Sequence, residues 1–170
     1  MDAREGRPLT HLDERGRARM VDVGDRPVTH REATAEGRVR ISSMAAAAVA
    51  AGQLAKGDVL AVARLAGIMA AKRTPELVPL CHPVALRHVD VEAELDPALP
   101  AIRLMARASC DDATGVEMEA LTAVAVAALT VIDMLKSVDP WATVDGVRLV
   151  AKSGGRSGAV RRPEEDADGG

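Results

Sequence analysis

The sequence predicts an α+β fold, a ferredoxin-like antiparallel sheet with helices packed on one face. Three observations carry that expectation. The elements follow in the order strand, helices, two strands, helix, strand, which is the split βαβ arrangement. Residues 87–95 (RHVDVEAEL) alternate Val89, Val91, Ala93 and Leu95 with His88, Asp90, Glu92 and Glu94, as in a strand buried on one face. Residues 116–136 are small or apolar nearly all round, as in a helix enclosed on most sides.

The elements can be placed in order. Residues 37–42 (GRVRIS) read as the first strand. Ser42 or Ser43 can cap a helix from Met44 to about Leu54, which Lys56-Gly57-Asp58 breaks. Asp58 caps a second helix from Val59 to about Lys72, ending before Pro75. After the strand at 87–95, Asp96-Pro97 through Pro100 turns the chain into an antiparallel return at 101–109. The long helix from Val116 to about Lys136 stops at Asp139-Pro140, and 143–151 (TVDGVRLVA) forms the last strand. Residues 1–8 and 159–170 read as flexible polar tails, which leaves one domain over 9–158.

With 170 residues and 48% hydrophobic content, the chain can build a single core. It has no Phe, no Tyr and one Trp, Trp141. A core of Ala, Val, Leu, Ile and Met buries little area per side chain, so its elements must approach closely and extend their burial by oligomerising. The formal charge of −3 argues against a general nucleic-acid binder while leaving room for a local anion site. Cys81 and Cys110 are no disulfide framework. The apolar run at 120–132 is interrupted by Thr122 and Thr130 and reads as shorter than a membrane span. The expectation is a soluble cytoplasmic protein without a secretory segment.

The candidate chemistry lies on and around the long helix. Asp133 and Lys136 are three apart and share a face. They suit either a local ion pair near the helix C-terminus or a general acid/base pair. Glu117 and Glu119 sit in the first turn, where the helix dipole favours acids with or without a function. Glu119 and Asp133 lie on nearly the same face, about 20 Å apart along the axis. One small substrate cannot touch both on one straight helix, so a site using both draws on two subunits. His82, in Leu80-Cys81-His82-Pro83, is a structural or a binding imidazole, and no second Cys/His pair with metal-ligand spacing accompanies it. Lys56-Gly57-Asp58 and residues 152–158 (KSGGRSG) put cations beside flexible backbone. The second is either a loose tail or an anion wrap, and it lacks the spacing of a P-loop. Two carboxylate regions, a histidine and cations at Lys56, Lys72, Arg73, Lys136, Lys152 and Arg156 suit acid/base work on a polyanionic substrate.

Several strings are similar to a known family. They are Thr10-His11, Met20-Val21-Asp22-Val23, Thr29-His30-Arg31-Glu32-Ala33, KGDVLAVARLAGIMAAKRT at 56–74, LVPLCHP at 77–83, TGVEMEALTAVAVAALTVIDMLK at 114–136 and VRLVAKSGGRSG at 147–158. In collinear order over residues 9 to 158 they resemble the molybdenum cofactor biosynthesis protein C family, the cyclic pyranopterin monophosphate synthases. The resemblance implies a ferredoxin-like lyase, hexameric as a trimer of dimers, with sites at subunit interfaces. It would convert 3′,8-cyclo-7,8-dihydroguanosine 5′-triphosphate to cyclic pyranopterin monophosphate and pyrophosphate. By motif match, Asp133 and Lys136 take the catalytic positions. Leu80, Cys81, His82, Met118 and Glu119 take substrate-binding positions, with Lys56 and Lys152 as further lysines and Glu117 as a supporting acid. Lys136, its charge state set by Asp133, is then the principal acid/base, while Lys56, Lys152 and Arg156 meet the departing pyrophosphate. No resident metal or cofactor is expected, although Mg²⁺ can arrive with the triphosphate. Arg26 and Arg156 stand where lysine is frequent, Val131-Ile132 lacks a usual tyrosine, Leu135 replaces a common cysteine, and Ala113 replaces a polar residue. None of these removes a residue assigned to chemistry. The rival reading is a non-catalytic oligomeric module that binds a nucleotide, which has little use for an Asp133–Lys136 pair.

Overall fold

The computed structural model describes residues 15–156 and 158–163. The expected tail at 1–8, the Thr10-His11 pair and the far C-terminal residues lie outside them. Strand β1 (Thr29–Arg40) leads into helix α1 (Ser43–Ala50), α2 (Val59–Ala71) and the single turn α3 (Thr74–Leu77). Strands β2 (Leu86–Leu95) and β3 (Ala101–Asp112) follow, then α4 (Glu117–Leu135), β4 (Thr143–Ser153) and the short β5 (Val160–Arg161). The sheet runs β2-β3-β1-β4-β5 with every neighbouring pair antiparallel. This is the α+β architecture the element order predicts, with α2 and α4 layered on the sheet.

The helix starts follow from local chemistry. Ser42 Oγ accepts the Ala45 N–H, and Asp58 Oδ1 accepts from the N–H groups of Leu60 and Ala61. Helix α1 ends at Ala50, four residues before the expected limit, and Gly52 then takes a φ of +64° that only glycine adopts freely. Pro75 ends no element but sits in the first turn of α3, where its missing N–H costs nothing.

Three strands are longer than their sequence pattern suggests. Strand β1 begins at Thr29 rather than at residue 37, because its inward positions are Ala33, Ala35 and Gly37, which give almost no hydrophobic signal. Strand β3 runs three residues past 109, and β4 two past 151. Strand β5 lies beyond residue 158, where Val160 pairs with Lys152 and Arg161 with Ala151. The Arg162 N–H donates to the Val150 carbonyl at 2.7 Å, so the segment after the glycine-rich turn returns to the sheet.

Small residues set the spacing between layers. A Cβ on Gly37 would lie 2.7 Å from Val124 Cγ1, and one on Gly67 would lie 2.9 Å from the Ala123 carbonyl oxygen and 3.2 Å from Val91. Ala63, Ala71, Ala120, Ala123, Ala127 and Ala128 complete the seam as buried residues. Helix α4 has 19 residues and is long and apolar enough to cross a membrane, contrary to the expectation from its two threonines. Its apolarity serves the core instead: Ala120, Ala123, Val124, Ala127, Ala128, Val131 and Leu135 are fully enclosed.

The other face of the sheet is polar. Arg107 pairs with Glu92 at 2.6 Å, Arg148 with Glu36 at 2.8 Å and Arg40 with Asp145 at 3.5 Å. Opposite charges on facing strands suit a solvated sheet surface. Exposed apolar side chains of the helical layer, among them Val62, Leu65 and Met69 on α2 and Leu129 on α4, lie away from this face.

The close seam gives a direct test. Gly67→Val should destabilise the fold by about 1–3 kcal/mol through overpacking against α4 and β2, whereas Ala61→Leu on the exposed side of α2 should change it by less than about 0.5 kcal/mol. Urea unfolding midpoints measure both, and equal midpoints would contradict the close approach.

Candidate active site

Helix α4 carries a charged cluster at each end. At its C-terminal end the Asp133 carboxylate sits between two ammonium groups, Lys136 Nζ at 2.7 Å from Oδ1 and Lys56 Nζ at 2.9 Å from Oδ2. Lys56 also donates to the Asp133 carbonyl at 2.6 Å. That contact meets one of the carbonyls a helix leaves unpaired in its last turn. Lys56 reaches it from the turn between α1 and α2, next to Gly57 with its φ of +88°. The Lys136 hydrogen bond first, then that of Lys56, draws the Asp133 carboxyl down to about 2. All three side chains remain substantially exposed, so the cluster is open to a ligand.

At the N-terminal end, Glu117 accepts a 2.9 Å hydrogen bond from Lys152 Nζ. Burial pushes the Glu117 carboxyl up, but the Lys152 bond, its own backbone N–H and nearby positive charge outweigh it, and the net direction is down. The carboxylate folds back over Gly115, where a Cβ would collide with Glu117 Oε2. Beside it opens a cavity of about 570 Å³, whose walls include Arg26, Thr29, Arg31, Thr114, Lys152 and Arg156. The glycine-rich segment forms one wall. Gly154 and Gly155 have φ of +93° and +65°, and a Cβ on Gly155 would collide with Arg31 Nη1. Arg31 is in turn fixed by donating to the carbonyls of Asp112 and Ala113, both at 3.2 Å.

The first turn of α4 also carries a third group. Glu119 is 1% exposed, and its Oε1 is 3.7 Å from Cys81 Sγ. Burial pushes the Glu119 carboxyl up, and burial first, then the Glu119 charge, pushes the Cys81 thiol up to about 11. Leu80 and His82 flank Cys81 on the same half-buried turn, and Met118 is exposed on the first turn of α4.

The predicted residues therefore fall into three sets: Lys56 with Asp133 and Lys136, Glu117 with Lys152 and Arg156, and Cys81 with Glu119. The expectation that Lys56, Lys152 and Arg156 act as one cation group does not hold within a chain. Lys56 is bound at one end of α4 and Lys152 at the other, more than about 20 Å apart along the axis. Arg31, Thr29 and Arg26 line the cavity without being expected there from the sequence. The signal of Arg31 becomes legible only once β1 is known to begin at Thr29, because it then occupies an inward position of the strand. Among the described residues, no three His, Cys, Asp or Glu side chains are grouped to hold a metal ion.

The C-terminal cluster predicts a pH response. Because the folded Asp133 carboxyl lies below its ordinary 3.8, any stability it contributes is complete above about pH 4 and is lost as pH falls through about 2. A carboxyl NMR titration should give a midpoint near 2 for Asp133, rising toward 3.8 in Lys136→Ala. A midpoint already at 3.8 in the unaltered chain would contradict the paired geometry.

The chain is similar over most of its length to known proteins. The profile of the MoaC family matches residues 20–155. The chain is 58% identical over 159 residues to the cyclic pyranopterin monophosphate synthase of Thermomicrobium roseum, covering 94% of this chain and 96% of that protein. The protein of the same name from Chloroflexus aurantiacus is 59% identical over 155 residues, covering 91% and 95%. That from Pelotomaculum thermopropionicum is 53% identical over 159 residues, covering 94% of each. The chain belongs to the MoaC family.

Proposed function

We propose that this chain is a cyclic pyranopterin monophosphate synthase, a lyase of molybdenum cofactor biosynthesis. It converts 3′,8-cyclo-7,8-dihydroguanosine 5′-triphosphate to cyclic pyranopterin monophosphate and releases pyrophosphate. Family membership and the relatives' shared name support the activity. The observation that carries it in the structure is the Lys56–Asp133–Lys136 cluster, one ionised carboxylate holding two ammonium groups at an open helix end. A module that only bound a nucleotide would need the cations but not the carboxylate that neutralises them.

In this reading Lys136 is the principal acid/base, and Asp133 holds it in place and balances its charge. Lys56 belongs with that pair. Lys152 and Arg156, with Arg31, face the developing negative charge of the phosphates across the cavity at the other end of α4. Leu80, His82, Met118 and Glu119 hold the substrate, with Cys81 against Glu119, and Glu117 keeps Lys152 in position. The two ends of one α4 cannot serve one small substrate, so the site forms between copies. We read the protein as a cytoplasmic homo-oligomer, a hexamer built as a trimer of dimers. The apolar stripe of Val62, Leu65 and Met69 is the surface available for assembly. One catalytic domain from residue 9 through β5 suffices, with no resident metal, Mg²⁺ entering only with the triphosphate, and neither nucleic acid nor membrane as a partner.

Single-turnover pyrophosphate release from the cyclised GTP derivative tests the assignment. Lys136→Ala should lower the rate by on the order of 10²–10⁴-fold with the oligomer intact, as expected for loss of a general acid/base. Asp133→Asn should remove most activity while preserving shape. Near-normal rates in Lys136→Ala would rule out the catalytic role.

A further inference from the structure

Glu119 differs from every other carboxylate around the site. It is 1% exposed, and its Oε2 is a buried oxygen with no hydrogen-bond partner. A buried acceptor left unpaired costs free energy, so such an atom normally has a partner in the working state. The groups that act on its ionisation are Cys81 from the turn before β2, Glu117 and its own backbone N–H on α4, and it faces Cys110 of β3. None of these is a cation.

Its Oε1 is engaged differently. Cys81 Sγ lies 3.7 Å from Glu119 Oε1 and also 3.7 Å from the His82 carbonyl oxygen. The thiol has one proton for two acceptors, and a carboxylate is the stronger acceptor. Cys81 is itself fixed, because its N–H donates to the Val78 carbonyl at 3.0 Å in the turn after α3.

We propose that Cys81 is a positioning residue acting through Glu119: its S–H holds Oε1 and leaves Oε2 as the acceptor presented to an N–H donor of the substrate. This rests on the synthase reading for the identity of the substrate, but the contact itself does not. The thiol remains protonated at neutral pH, since burial pushes it up to about 11, so the donor is available throughout the working range. Removing the donor withdraws a bond that favours the ionised carboxyl, so the Glu119 carboxyl moves further up.

The test compares Cys81→Ala with Cys81→Ser in the full-length protein, using a carbon-13 NMR titration of the Glu119 carboxyl, assigned through Glu119→Gln. The serine variant keeps an O–H donor at the same position. The titration midpoint should rise in Cys81→Ala and stay near that of the unaltered chain in Cys81→Ser. The acidic limb of kcat/KM for pyrophosphate release should move with it, and kcat/KM should fall roughly tenfold in Cys81→Ala alone, the loss expected for one hydrogen bond to a carboxylate. A midpoint unchanged or lowered in Cys81→Ala, or the same response in both variants, would overturn the proposal. Absence of pyrophosphate release by the unaltered protein would defeat the synthase reading while the titration still decided the Cys81 contact.

Discussion

The close approach of α4 to α2 and to the centre of the sheet is the constraint on which the rest of the structure depends. Gly67 lies against the Ala123 carbonyl, and Gly37 on β1 receives Val124. Both contacts work only because one partner has no Cβ. A chain without Phe or Tyr cannot fill a wide gap between layers, so it closes the gap with alanine and glycine. The cost in buried area per residue is offset by backbone-to-backbone proximity, which increases the number of dispersion contacts. Helix α4 is thus clamped between α2 and the sheet.

A clamped helix acts as a ruler. Its two ends hold their charged groups at a fixed separation, and each end uses what helix termini supply. Lys56 satisfies the Asp133 carbonyl in the last turn while bonding the Asp133 side chain, so one lysine both helps close the helix and builds the cluster. At the other end, Glu117 in the first turn anchors Lys152 from β4 beside the cavity. The buried Asp139 ties the chain leaving α4 to the start of α1 by accepting the Ser42 N–H at 2.5 Å. The helix therefore ends at a fixed place relative to the strand that carries Arg31. Because the separation cannot change, the groups at the two ends combine only if copies of the chain meet.

Much of this was legible in the residues, and what was not has a physical reason. Asp58 announced α2, and the alternation of Val89, Val91 and Ala93 announced β2, because side-chain chemistry and burial there agree with the local pattern. The first half of β1 was hidden because Ala33 and Ala35 are small and polar residues flank them. With that half went Arg31, whose meaning depends on knowing that it points to the helical side. The Asp133–Lys136 pair follows from helical spacing, but its third member, Lys56, is 77 positions away and no local rule links them. Strand β5 contains only two residues and lies after three glycines, so its pairing is a tertiary event with almost no propensity behind it.

In the proposed oligomer, a working site combines the C-terminal cluster of one α4 with the N-terminal groups of another. Subunit mixing tests this pairing. Lys136→Ala and Glu119→Gln proteins, each inactive alone, are unfolded together and refolded as mixed oligomers. If the site spans two copies, random pairing restores about a quarter of the unaltered sites, and pyrophosphate release recovers to that level. If both groups act within one chain, mixed oligomers of verified composition remain inactive, and the account of a shared site is wrong.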